Sequence, residues 1–143
     1  MKKSIYLLCI VLFLVSAVQS KSIETPKNET VMKYSILVLY NVTNHWLLLK
    51  REERGKIFEK EIMPIIQKFD GKLKVRLFDS EAFHAKTSDF MIIECADLKD
   101  HYYFMEHLRD TSLFGKPYIQ LVDVIIGIED GFAQFEDEEY KPD

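Results

Sequence analysis

Glycine is scarce in this chain, with 5 in 143 residues at positions 55, 71, 115, 127 and 131, and their dispersal excludes a glycine-rich phosphate loop. Nucleotide cofactors are therefore poor candidates. Cysteine is scarcer still, with 2 in all, of which Cys9 falls in the apolar N-terminal stretch, so the remainder of the chain cannot close an internal disulfide. Cys95 sits among Ile92, Ile93 and Ala96, the setting of a buried, inert thiol. No Ser or Cys stands in a nucleophile-elbow context. Histidine numbers 4, and the only two on one expected helix, His101 and His107, are six apart. That spacing turns them about 240° around the axis, so one helix face cannot offer both to a metal. Basic residues do not exceed acidic ones, with 19 against 23. Nucleic acid and anionic membrane surfaces are accordingly poor partners.

The long hydrophobic run that is present lies at the start. Lys2 and Lys3 precede an apolar stretch from Ile5 to Val15, which gives way to the small residues Val18 and Ser20. This is the pattern of a secretory signal peptide over residues 1–20. The uncharged run is shorter than the roughly 20 residues that span a bilayer. Cleavage near Ser20 leaves 123 of the 143 residues, with 17 basic against 23 acidic and a formal charge of −6. The expected location is outside the cytoplasm, periplasmic or extracellular, with no membrane attachment after cleavage. A chain of this size is one domain, with a core large enough to stand without disulfides.

Residues 21–30 are polar, contain Pro26 and lack apolar periodicity, which marks a short flexible leader. The triplets beginning at Asn28 and Asn41 fit glycosylation acceptors, common by chance. The folded domain is expected over residues 31–135, followed by an acidic tail, 136–143, whose run from Glu136 to Glu139 reads as solvated. Within the domain, Met32 to Tyr40 is apolar on both faces, as a central strand is. Phe58, Ile62, Ile65, Ile66 and Phe69 make one stripe of a helix over Arg51 to Phe69, with Pro64 expected to kink it. Asp70-Gly71 ends that helix. Leu73, Val75 and Leu77 alternate with Lys74, Arg76 and Phe78 in a half-exposed second strand. Asp89 to Cys95 is a third strand, and Asp97 caps a second helix to about Arg109 whose expected buried stripe is Leu98, Tyr102, Met105 and Leu108. Tyr118 to Ile126, opened by Pro117, is the fourth strand.

The order is βαββαβ, an α+β ferredoxin-like domain. Both helical crossovers are right-handed, so both helices cover one sheet face and the other is bare. An apolar bare face is a liability in water. The expectation is a homodimer whose two sheets pair face to face, in the manner of a dimeric α+β barrel.

Several side chains are placed to bind or react. His84 lies in the loop after the second strand beside Asp79 and Glu81, where a carboxylate could orient an imidazole acting as a base. A backbone-bonded loop histidine is the plainer reading. Arg76 and Asp123 are charges in otherwise apolar strands, candidates to orient a polar ligand or, as edge-strand charges, to discourage aggregation. His45 and Trp46 follow the first strand, where an indole and an imidazole can line a pocket, or where Trp46 plugs the core and Asn44 caps a helix.

These segments resemble the darcynin family, a bacterial group whose function is not established. The resemblance runs from about Met32 to Phe135. It rests on Asn44-His45-Trp46-Leu47, Arg51-Glu52-Glu53-Arg54, Glu81-Ala82-Phe83-His84-Ala85 and Ser88-Asp89-Phe90. Leu108-Arg109-Asp110-Thr111 and Gly127-Ile128-Glu129-Asp130-Gly131-Phe132 complete it. It implies a fold and a bacterial origin, not a chemistry. A leader peptide departs from the plainest members and points out of the cytoplasm. The functional expectation is a cofactor-free homodimer that binds a small, partly apolar molecule between sheet and helices. The alternatives are a cofactor-free monooxygenase- or isomerase-like enzyme with His84 as base and Asp79 or Asp123 nearby, and a purely structural or protein-binding module.

Overall fold

The structure is a computed structural model and describes residues 33–140. The expected signal peptide, the leader and the last three residues lie outside the described residues. Four strands, β1 (Tyr34–Val42), β2 (Leu73–Asp79), β3 (Asp89–Cys95) and β4 (Ile119–Ile128), form one antiparallel sheet in the order β2-β3-β1-β4. The two strands that are apolar on both faces, β1 and β3, take the centre. This is the ferredoxin-like arrangement, with β2 and β4 at the edges.

The first crossover carries α1 (Asn44–Leu47), α2 (Arg51–Ile57), a π-helical turn (Phe58–Ile62) and α3 (Met63–Lys68). Pro64 has no N–H and its ring crowds the carbonyl four residues back. The disturbance expected at Pro64 takes the form of a π-helical, widened turn just ahead of the proline. Gly71, at φ +77°, then turns the chain into β2. The second crossover carries α4 (Leu98–Arg109) and α5 (Ser112–Gly115). Asp97 caps α4 by accepting from the Lys99 backbone N–H at 2.8 Å, and Thr111 caps α5 by accepting from that of Leu113.

Ile36 and Val38 of β1, Met91, Ile93 and Cys95 of β3, and Leu73 of β2 are buried on the sheet face that the helices cover. Ile62, Phe69, Phe104, Met105 and Leu108 descend on it. Phe69 and Phe104 meet edge-on, 5.8 Å between ring centres. Tyr102, expected in the stripe of α4, is 58 % exposed, and Phe104 takes its place at 1 %. The true buried face is rotated toward Phe104, Met105 and Leu108.

β4 runs two residues past its expected end, pairing Ile128 with Tyr34, and carries a bulge where the partner of Leu39 is Asp123 and that of Tyr40 is Leu121. Asp130 then adopts a left-handed conformation, tolerable for aspartate, and opens α6 (Gly131–Glu139). The acidic run from Glu136 to Glu139 is thus solvated, as its charge implies, but helical, and the expected boundary at residue 135 falls inside α6. No helix among the described residues is long and apolar enough to cross a membrane.

Candidate functional site

Sheet register decides which side chains meet. Asp79 is the partner of Asp89, and Asp89 that of Tyr40, so the three occupy one row across β2, β3 and β1. Alternation places that row on the helix-covered face with Ile36, Val38 and Met91. There it closes one end of a cavity of about 280 Å³ between sheet and helices. Val75, Leu77 and Met91 line its sheet side, and Phe58, Ile62 and Ile66 its first-crossover side. Phe104, Leu108 and Leu113 come from α4 and α5, and Trp46 from α1. Phe58 and Ile62 are the first and last residues of the π-helical turn, so the distortion ahead of Pro64 shapes the wall.

The polar end is built by the loop between β2 and β3. Ser80 and Thr87 are buried, the Ser80 hydroxyl donating to the Thr87 carbonyl at 2.9 Å and the Ser80 N–H to that of Ser88 at 2.8 Å. Asn41 ties the loop to β1, its amide donating to the Lys86 carbonyl and accepting from the Ser88 N–H at 2.7 Å. The Ser88 hydroxyl accepts from the Val42 N–H at 2.9 Å and donates to the Asp89 carboxylate. Burial raises the Asp89 carboxyl above its usual range; the Ser88 bond opposes the rise, and Asp79 and Glu81 add to it. The Tyr40 phenol is pushed up to about 12 by burial, then by Asp89 and Asp79.

Of the residues singled out in the sequence, Asp79 and Trp46 line this cavity. Trp46 leans on Tyr118, with ring centres 5.6 Å apart. The Arg54 guanidinium lies 5.9 Å from the indole while donating to the Leu47 and Leu49 carbonyls. His45 is exposed beside Trp46 and its Nδ1 donates to the Lys116 carbonyl at 3.2 Å. His84 is exposed in the pinned loop, its backbone N–H bonded to the Ser80 carbonyl, and is not among the lining residues. Arg76 and Asp123 lie on the other sheet face, at opposite edges. Arg76 pairs with Glu94 at 2.6 Å, and Asp123 accepts from the Val124 N–H at 2.8 Å. The structure therefore separates these charges from the cavity, and it adds Tyr40 and Asp89, which sequence reasoning passed over. Their signal was the strand alternation itself, once the register is known.

The fold is shared with larger proteins. The chlorite dismutase from Candidatus Nitrospira defluvii in complex with imidazole superposes with a TM-score of 0.62 at 16 % identity, over 71 % of this chain and 42 % of that one. A heme-binding protein from Thermus thermophilus superposes with a TM-score of 0.65 at 12 % identity, over 76 % of this chain and 45 % of that one. The chain thus spans less than half the length of either. Heme does not suit the residues that line this cavity. The cavity lining holds no histidine or cysteine to ligate iron, and its carboxylates would repel propionates.

Sequence relatives are closer in size. Darcynin 1 of Acinetobacter baumannii is 36 % identical over 90 residues, 63 % of this chain and 99 % of that protein. Darcynin of Chromobacterium violaceum is 38 % identical over 65 residues, 46 % of this chain and 82 % of that protein. The family model described as Darcynin, domain of unknown function, matches residues 18–140, and the chain belongs to that family.

Proposed function

We propose that this protein binds a small, partly apolar molecule in the cavity between sheet and helices. The observation that carries the reading is the cavity itself: about 280 Å³, walled by aliphatic and aromatic side chains, with Tyr40, Asp79 and Asp89 gathered at one end. Ligand sites are typically concave, mostly apolar and furnished with a few convergent polar groups, and this volume is at the small end of their range. Trp46 is the chain's only tryptophan, so its fluorescence reports directly on occupancy. Hexan-1-ol should shift that emission saturably, and Leu113→Phe, which fills the cavity from α5, should abolish the shift with the circular dichroism unchanged. A linear, non-saturating response in both proteins would refute the reading.

The protein acts as a homodimer in this reading. Opposite the helices, Leu37, Leu39, Phe78, Phe90, Ile92 and Ile125 share a face that no helix of the first two crossovers covers, and Phe78 and Ile125 are 37 % and 51 % exposed. A twofold axis parallel to the strands would lay β2 over the partner's β4, bringing the Arg76–Glu94 pair on one edge toward Asp123 on the other. Light scattering should give twice the monomer mass, and a soluble monomer across a wide concentration range would overturn the dimer. Export is the remaining part of the proposal, supported by the signal-like run from Ile5 to Val15. N-terminal sequencing of the protein recovered outside the cytoplasm should begin near Lys21; Met1 on a membrane-bound product would refute it.

A further inference from the structure

Two aspartates face each other at the polar end of the cavity. Asp79 is the last residue of β2 and Asp89 the first of β3, directly opposite in register, with Tyr40 next along the same row. Cross-strand partners on one face stand about 5 Å apart at Cβ, and like charges there are destabilising. The cavity lining contains no lysine, arginine or histidine to offset them. The cations of β2 are committed elsewhere, Lys74 and Arg76 both bonding Glu94 on the opposite sheet face. An apolar cavity therefore ends in two facing carboxyl groups with no cation among the residues that line it. We infer that its ligand is a cationic amphiphile, a primary ammonium seated between Asp79 and Asp89 with its hydrocarbon body against Ile62, Met91, Phe104 and Leu108.

An ammonium brings three donors and no acceptor, which suits two carboxylates and the Tyr40 oxygen. A carboxylate ligand would be repelled, and a neutral alcohol would leave the like charges facing each other. The groups facing Asp89 are the Asp79 and Glu81 side chains, the Tyr40 phenol and the Ser88 hydroxyl; His84 and Lys86 lie in the same loop. Affinity for the ammonium should accordingly fall as acidification protonates Asp89, whose carboxyl burial holds above its usual range.

This inference rests on the cavity-binding reading, and the test separates the two. The full chain is titrated at neutral pH with hexylamine, hexan-1-ol and hexanoate, following Trp46 fluorescence and calorimetric heat. The amine should bind tighter than the alcohol by about ten-fold or more, the scale of a hydrogen bond to a charged group, and hexanoate weakest. Asp79→Asn and Asp89→Asn should each remove the preference for the amine, bringing its affinity to that of the alcohol for the same variant. Asp79 is exposed, so Asp79→Asn remains informative if Asp89→Asn fails to fold. Equal affinity for amine and alcohol, or an amine preference that survives Asp79→Asn, would overturn the cationic ligand while leaving the cavity reading intact. If none of the three binds to the folded protein, the cavity reading fails and takes this inference with it.

Discussion

Raising the pH through the alkaline range should expose the environment of Tyr40. Its phenol is held at about 12 against an ordinary value of 10, first by burial and then by Asp89 and Asp79. A shift of that size corresponds to about 3 kcal/mol between the two ionisation states. The folded value is the higher one, so between those limits the unfolded chain has released a proton that the folded chain keeps. The contribution is therefore fully present below pH 10 and is lost as pH rises toward 12. Urea denaturation of the wild type and of Tyr40→Phe, run side by side from neutral pH upward, isolates this from the other tyrosines and the lysines. The stability difference should stay flat until the ordinary phenol value and then fall by about 2 kcal/mol half a unit below the folded one, as linkage requires. Parallel curves would refute the argument, because they would mean that the Tyr40 hydroxyl meets neither burial nor the two carboxylates.

Phe104→Ala removes a ring that is 1 % exposed and edge-on to Phe69, and should cost about 3 to 5 kcal/mol in urea denaturation. Gly71→Ala meets no atom within 4 Å, so its cost is purely the left-handed backbone, about 1 to 2 kcal/mol, read from the shift in denaturation midpoint. His84→Ala changes an exposed loop side chain and should move stability by less than about 0.5 kcal/mol, with hexan-1-ol binding unaffected by calorimetry.

Hydrophobic periodicity made most of the fold legible. The two strands apolar on both faces had to be central, and β1 and β3 are; alternation in Leu73, Val75 and Leu77 had to mark an edge, and β2 is one. Periodicity is a statement about one element at a time, and it fails where a neighbour decides. Tyr102 and Phe104, two residues apart, point to nearly opposite sides of α4, and it is Phe104 that meets Phe69, the residue that caps α3, in the core. Pro64 announced a disturbance, but its form, a π-helical turn from Phe58 to Ile62, is not written in the proline itself.

The candidate site was legible only in part, for a related reason. His84 drew attention because Asp79 and Glu81 are near it in sequence, yet the chain between Asp79 and Asp89 is a hairpin loop, and a hairpin brings its ends together rather than its middle. The loop is held shut by Ser80, Thr87 and Asn41, which leaves His84 at the exposed turn and sets Asp79 opposite Asp89. Tyr40 joins them because antiparallel register pairs it with Asp89 across 49 residues of chain. Sequence distance and spatial grouping thus differ here, since Tyr40 lies far along the chain from the two aspartates with which it shares the cavity end, and His84, near Asp79 in sequence, is outside the cavity lining. Charged or hydroxylic residues at the two ends of a pinned loop, together with the inward-facing residue of the adjoining strand, form the grouping that strand pairing favours. Asp79, Asp89 and Tyr40 are that grouping, and the separation of Arg76 from Asp123 follows from the same rule, since neither is a register partner of the other on any strand of the sheet.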